Sequence, residues 1–352
     1  MKKILSSILI ISLLLSLVGC AWANGKKPNV RSRVISYAHF NTASQIFAYG
    51  DISNETFESY VTIANETLEY YHKLFDIYYE YSGVNNVKTI NKNAGKAPVT
   101  VDRELLDFLS YCKELYTLTD GKTNVMLGSV LKIWHDAREE AEGDFGYLPE
   151  SSLPSADELS SAAEHTSIDS LMIDRKAQTV YISDPDASLD VGSIAKGYTV
   201  DILYDKLKAA GADSVVLNIG GNIRTIGIKP DGSLWTSGIT NPDKSAENTI
   251  KCTISIGESS VVTSGDYERY FYAGDKKYNH IIDPETLMPA EYFASVSIVT
   301  KESGLADALS TALFCMPYES GLALLESIGG VNAVWIFKDG TIKSTDGVTL
   351  AE

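Results

Sequence analysis

The chain has 352 residues, with 30 Lys and Arg against 46 Asp and Glu, for a formal net charge of −16. That balance argues against a nucleic-acid partner, whose phosphates need a basic surface. It leaves room for a phosphate ligand held by a metal ion and a few local donors. Four scattered cysteines, Cys20, Cys112, Cys252 and Cys315, build neither a disulfide framework nor a Cys-rich metal site, and the last three are expected as small buried side chains.

Met1-Lys2-Lys3 opens a charged segment, and residues 4–18 are aliphatic with only serines interrupting, a run short for a bilayer span. It ends Leu17-Val18-Gly19-Cys20, the pattern of a lipoprotein signal peptide in which Cys20 becomes the lipidated N-terminus. The expected organisation is a signal peptide over 1–19, the lipidated Cys20 and a flexible tether over 20–34, and one folded unit over 35–352. Acyl chains on Cys20 would hold that unit at the membrane in an extracytoplasmic location.

In chain order, 35–50 suggests a strand pair, and apolar positions every three or four residues predict a helix over 54–79. A Gly- and Asn-rich loop follows, then a helix over 102–118 with Asp102 able to cap it. An apolar stretch at 125–135 precedes an acidic surface excursion over 138–165, which holds a short helix at 155–164. Strands are expected at 168–174 and 178–182, a helix over 194–210, and a strand series at 214–221, 225–230, 252–265, 268–274, 278–283 and 295–300. Helices at 305–314 and 319–328 and a strand at 333–340 complete an α+β pattern with a mainly antiparallel sheet and flanking helices.

Chemistry concentrates in the second half. Asp307 and Thr311 are i and i+4 on one helix, so a carboxylate and a hydroxyl share a side suited to Mg²⁺. An equally weighted reading has Asp307 interacting with the helix dipole and Thr311 bonding back to the Asp307 carbonyl. In LDVGSIAKGYTVD, Asp190, Lys196 and Asp201 surround a Gly-rich turn whose helix start offers N–H groups to a phosphate. Gly220-Gly221 and Thr263-Ser264-Gly265 are further tight turns able to present amides or hydroxyls. His280, three residues before Asp283-Pro284, could accept a proton or hold a ligand edge. The spaced glycines of a dinucleotide fold, HExxH, GxSxG and Walker A motifs are all missing.

These segments resemble the bacterial FAD:protein FMN transferase family, the ApbE-like lipoproteins. The blocks Asn218-Ile219-Gly220-Gly221-Asn222, TSGDYERYF at 263–271, HIIDPETLMPA at 280–290 and ADALSTALF at 306–314 occur in the family's order. The resemblance implies a single α+β, T-fold-related unit that binds FAD and Mg²⁺. It implies metal ligation by the Asp307 and Thr311 side chains and the Ser193 carbonyl. FAD contacts would fall at Phe40, Asn41, Asn124, Asp190, Lys196, Gly220, Gly221, Ser264, Gly265, His280 and Ile281, with His280, Asp307 and Lys196 as the catalytic group. The implied reaction moves FMN from FAD to a threonine of an exported or membrane redox protein, within an Asp/Ser-Gly-Ala-Thr segment, and releases AMP. The same residues also suit FAD hydrolysis to FMN and AMP, or flavin binding without chemistry.

Three positions depart from the family pattern. Phe40-Asn41-Thr42 stands for Met-Gly-Thr, Lys122-Thr123-Asn124 for Ala-Phe-Asp, and Thr286-Leu287 for Thr-Gly. The tail Asp346-Gly347-Val348-Thr349-Leu350 loosely resembles an acceptor segment, with a plain turn as the expected reading.

Overall fold

Alternation of buried residues on both faces of successive strands builds one large sheet. The computed structural model describes residues 29–351; the signal peptide and Cys20 fall outside the described residues. The sheet runs in the order β1 (Val30–Ser36), β2 (Ser44–Tyr49), β7 (Ser214–Ile219), β8 (Asn222–Gly227), β11 (Ser260–Gly265), β14 (Ser295–Thr300), β15 (Asn332–Ile336) and β16 (Ile342–Ser344). Every neighbouring pair in it is antiparallel. Three small sheets surround it: β17 (Leu350–Ala351), β10 (Ile250–Ile256) and β9 (Trp235–Thr240); β13 (Lys276–Asn279), β12 (Tyr270–Ala273) and β4 (Tyr147–Leu148); and β3 (Val99–Thr100), β6 (Thr179–Ile182) and β5 (Leu171–Asp174).

The helices are α1 (Asn54–Phe75), α2 (Val87–Lys92), α3 (Arg103–Leu118), α4 (Gly128–Glu140), α5 (Ala156–Ala163), α6 (Ala195–Ala209), α7 (Ser303–Phe314) and α8 (Tyr318–Ile328). On one face of the large sheet, Leu68 of α1 and Val200 and Leu203 of α6 pack on Ile46 and Leu217. Beside them Leu309 and Leu313 of α7 pack on Val262, Val296 and Trp335. The opposite face buries Phe47 and Val216 under Trp235 and Ile254 of the small β9–β10 sheet. Period-two alternation thus feeds two cores at once, and α6 and α7 come to lie side by side.

Several expectations are corrected here. Residues 30–34, expected within the tether, belong to the sheet: Val30 pairs with Tyr49 and Arg33 with Ile46. Helix α1 stops at Phe75, not 79: the Asp76 carboxylate accepts from the amides of Tyr78 (2.6 Å) and Tyr79 (3.0 Å) and turns the chain out. The Gly- and Asn-rich loop contains α2, started by a reciprocal cap between Asn86 and Thr89. The apolar stretch at 125–135 is mostly α4. Residues 252–265 are two strands in different sheets, split at Gly257, and β9 was not anticipated. Cys112, Cys252 and Cys315 are buried, as expected.

Candidate active site

The close approach of α6 and α7 is made possible by a missing side chain. A Cβ on Gly197 would lie 2.2 Å from the Ser303 carbonyl oxygen and 2.7 Å from the Asp307 Cβ. With glycine there, the Gly197 amide donates to Asp307 Oδ2 at 2.9 Å, and Lys196 Nζ sits 3.3 and 3.4 Å from the two carboxylate oxygens. Asp307 is only 4 % exposed. An amide and an ammonium therefore replace the water that a buried carboxylate would otherwise need. The amide bonded to Asp307 is also the one that would answer the Ser193 carbonyl a helical turn earlier. The helix proper begins two residues later, at Ala195.

A second clamp fixes the two helices. The Asp201 carboxylate of α6 accepts from the amides of Ser303 (2.8 Å) and Gly304 (2.7 Å), capping α7 from outside. Burial pushes its pKa up to about 6, opposed by those two amides and by the nearby Arg224. Thr311 lies one turn beyond Asp307 and is half-buried. The alternative reading, a back-bond from Thr311, does not form: the Asp307 carbonyl accepts from Ser310 Oγ at 2.9 Å, and Ser310 also meets Ser264 Oγ of β11 at 2.8 Å. Ser264 therefore serves to tie the strand to α7. The Gly265 backbone is crowded by the Tyr267 ring, which would stand 2.6 Å from a Cβ.

His280 follows β13 directly. Its Nδ1 faces the Arg269 carbonyl at 3.2 Å, and a carbonyl can only accept, so Nδ1 carries the proton and Nε2 keeps a lone pair. Protein surrounds the ring on most sides although part of its surface stays open. Burial first, then the positive charges of Arg269, Arg138 and Lys196, hold its pKa well below the ordinary value. Asp190 shares that setting: its Oδ1 accepts from Gly192 N at 2.9 Å, and burial raises its pKa against the pull of Arg269, His135 and Arg138. Arg138 Nη2 donates to His135 Nδ1 at 2.8 Å and its Nε lies 3.4 Å from Asp144. Tyr78, 50 % exposed, feels Asp190, Arg138 and Arg269 as well. His135, Arg138, Arg269 and Tyr78 were not anticipated. Arg269 stood inside the TSGDYERYF block, whereas Tyr78 falls within the stretch whose periodicity predicts a helix to 79 and lies beyond the end of α1.

The remaining expected residues divide. Phe40 and Asn41 both adopt left-handed backbone (φ 53 and 51), which Asn tolerates where the family pattern has glycine. Thr42 packs on Gly220, whose Cβ would lie 2.3 Å from Thr42 Oγ1, so the 40–42 and 220–221 turns meet. Asn124 is committed to the chain, donating to the Thr166 carbonyl and accepting from Met126 N, both at 2.9 Å. Ile281 is buried, with its amide on Asn279 and its carbonyl on the Ala290 amide. Lys122, where the family pattern has an apolar residue, forms a buried pair with Asp283 at 2.9 Å and ties the 122–124 loop to the HIIDPE block.

Among the described residues, a cluster of three metal-capable side chains occurs at His165, Asp184 and Asp186, away from α7 in sequence. Its His165 and Asp184 already satisfy each other as an ion pair at 2.8 Å. The cavity lined by Arg103, Leu106, Arg175, Lys176 and Gln178 holds none of the expected residues.

Residues 40–335 match the sequence model of the ApbE family. The chain belongs to the ApbE family. It is 34 % identical over 275 residues to the FAD:protein FMN transferase of Treponema pallidum, covering 74 % of this chain and 72 % of that one. With the Klebsiella pneumoniae FAD:protein FMN transferase it shares 31 % over 259 residues, 73 % of this chain and 77 % of the relative. The crystal structure of the ApbE protein of Thermotoga maritima superposes with a TM-score of 0.76 at 25 % identity, over 91 % of this chain and 97 % of that one. The Vibrio cholerae flavin transferase ApbE gives 0.72 at 26 % identity, over 90 % and 97 %. The fold is accordingly a single ApbE-like α+β unit.

Proposed function

We infer that the chain is an enzyme of the FAD:protein FMN transferase type, moving FMN from FAD onto an acceptor protein. The observation that carries the chemistry is the Asp307 carboxylate, held by the Gly197 amide with Lys196 Nζ beside it. We propose that Asp307, Thr311 and the Ser193 carbonyl hold Mg²⁺. The donor set fits a hard cation: one anionic oxygen, one hydroxyl and one carbonyl, the last deprived of the Gly197 amide by Asp307. Bound there, Mg²⁺ would neutralise charge on the FAD diphosphate. Lys196 would hold a phosphate oxygen, and Asp190 and the 40–42 and 220–221 turns would line the nucleotide.

In the proposed reaction a threonine oxygen of the acceptor forms a bond to the FMN phosphorus. The anhydride bond to AMP breaks, AMP leaves with that electron pair, and His280 Nε2 takes the threonine proton. The tautomer fixed by Arg269 leaves that nitrogen able to do so. We further propose residues 1–19 as a signal peptide, Cys20 as the lipid attachment point, and the acceptor as an exported or membrane protein with an Asp/Ser-Gly-Ala-Thr segment. Among the described residues no helix is long and apolar enough to cross a membrane.

Incubation with FAD, Mg²⁺ and an exported FMN-binding-domain protein should give a covalently fluorescent acceptor band. AMP released at the same rate without acceptor would favour hydrolysis, and FAD retained without AMP would favour a simple binder.

A further inference from the structure

The small sheet that carries the His280 hairpin has a face the site does not use. Cross-strand pairing sets Tyr272 opposite Lys277 on one side and Tyr147 on the other, so the three side chains form a row on one face. Phe271, Ala273 and Leu148 point the other way, into a core with Trp134 and Tyr278. The outer face is open: Tyr272 is 39 %, Phe145 57 % and Tyr147 60 % exposed. Edge-on ring contacts knit it together, Phe145 to Tyr270 at 4.9 Å and Tyr270 to Tyr272 at 5.5 Å.

Two further observations point to a partner. Phe145 sits on left-handed backbone at φ 68, a conformation costly for a bulky residue, and its amide donates to the Tyr270 carbonyl. A strained backbone that presents a ring to water, rather than burying it, suggests a presented contact. The face is also continuous with the reaction site: Arg269, the residue before Tyr270, supplies the carbonyl that accepts from both the amide and Nδ1 of His280. A macromolecule whose hydroxyl reaches His280 must lie beside this hairpin.

We propose that this aromatic face is where the acceptor protein docks, and the proposal rests on the transferase reading above. The occupant is the folded acceptor, meeting the rings with an apolar strip that also offers hydrogen-bond acceptors to the tyrosine hydroxyls. Clustered exposed tyrosines of this kind carry much of the energy in protein interfaces.

The test uses the full chain and a Tyr147→Ala/Tyr272→Ala double variant. Two substrates are compared, an exported FMN-binding-domain protein and a free peptide containing Asp-Gly-Ala-Thr. The variant is expected to raise KM for the folded acceptor by about tenfold or more, the size of a lost interface hot spot. Its kcat at saturation, FAD binding and peptide KM should stay near wild type. Acceptor binding measured by fluorescence anisotropy without turnover should weaken in parallel. Wild-type binding without any transfer would sink the transferase reading alone. Unchanged acceptor binding in the variant would overturn docking. So would an equal loss with the peptide. Loss of self-association, or of binding to anionic lipid vesicles, with acceptor KM unchanged would also overturn it.

Discussion

Asp307 concentrates the argument at the scale of single residues. Its carboxylate is buried against the Gly197 amide and the Lys196 ammonium, so Asp307→Ala leaves a buried N–H and a charge without their partner. A stability loss of about 1–3 kcal/mol is expected from the orphaned donor. Transfer should fall by at least about two orders of magnitude, the several kcal/mol that a phosphate-polarising ion contributes. Thermal melts and steady-state rates across a Mg²⁺ series check both; a variant with near-normal transfer at low Mg²⁺ would refute the metal assignment. His280 gives a second residue-level expectation. Burial and the Arg269, Arg138 and Lys196 charges lower its pKa, so the ring stays neutral in the free enzyme at pH 6.5. The acid limb of kcat/KM should therefore fall below pH 6.5, and His280→Ala should abolish that limb. At this scale the sequence singled out Asp307, Lys196 and His280, and the structure pairs the first two. It concealed Tyr78, because a periodic pattern cannot register the Asp76 carboxylate that ends the helix four residues early.

At the scale of elements, the α6–α7 contact holds the proposed metal site. Gly197→Ala would force a Cβ to within 2.2 Å of the Ser303 carbonyl, so the helices must separate or shift. A destabilisation of about 1–3 kcal/mol is expected from that overpacking, together with loss of transfer; a thermal melt alongside an activity assay checks it. Asp201 makes the contact pH-sensitive. Its folded pKa of about 6 is raised, so its contribution favours the folded state at low pH and is lost as pH rises through about 6. Asp201→Asn should remove roughly 2–3 kcal/mol of pH-dependent change between about pH 4 and 6, seen by denaturant titration at each pH. Helix α6 was legible almost to the residue, since its start is marked by a Gly-rich turn and its end by Gly211. By contrast, α2 hid in a Gly- and Asn-rich stretch because its stability comes from the Asn86–Thr89 cap and from Asn86 bonds to the Lys73 and Tyr79 carbonyls. Strand β9 hid because Ser237 breaks its buried row between Trp235 and Ile239, while Thr236, Gly238 and Thr240 fill the half-buried face, leaving only two large apolar residues to mark the alternation.

For the whole molecule, the large antiparallel sheet buries both faces. One carries α1, α6 and α7 with the site, and the other is closed by the β9–β10 sheet. An α+β class was readable from the order of periodic segments. The assignment of strands to four sheets was not, because register and sheet membership depend on contacts between distant residues. The tail at Leu350 pairs with Ile254, placing Thr349 beside the small sheet rather than at the α6–α7 contact. Transfer of FMN at the Asp307 site is the proposal on which the others depend. Its most direct measurement is the intact mass of an exported FMN-binding-domain protein after incubation with the enzyme, FAD and Mg²⁺, with AMP quantified in the same reaction. One FMN on a threonine of the acceptor is expected for each AMP released, with a rate at least about two orders of magnitude lower for Asp307→Ala. AMP released in full with the acceptor mass unchanged would contradict it.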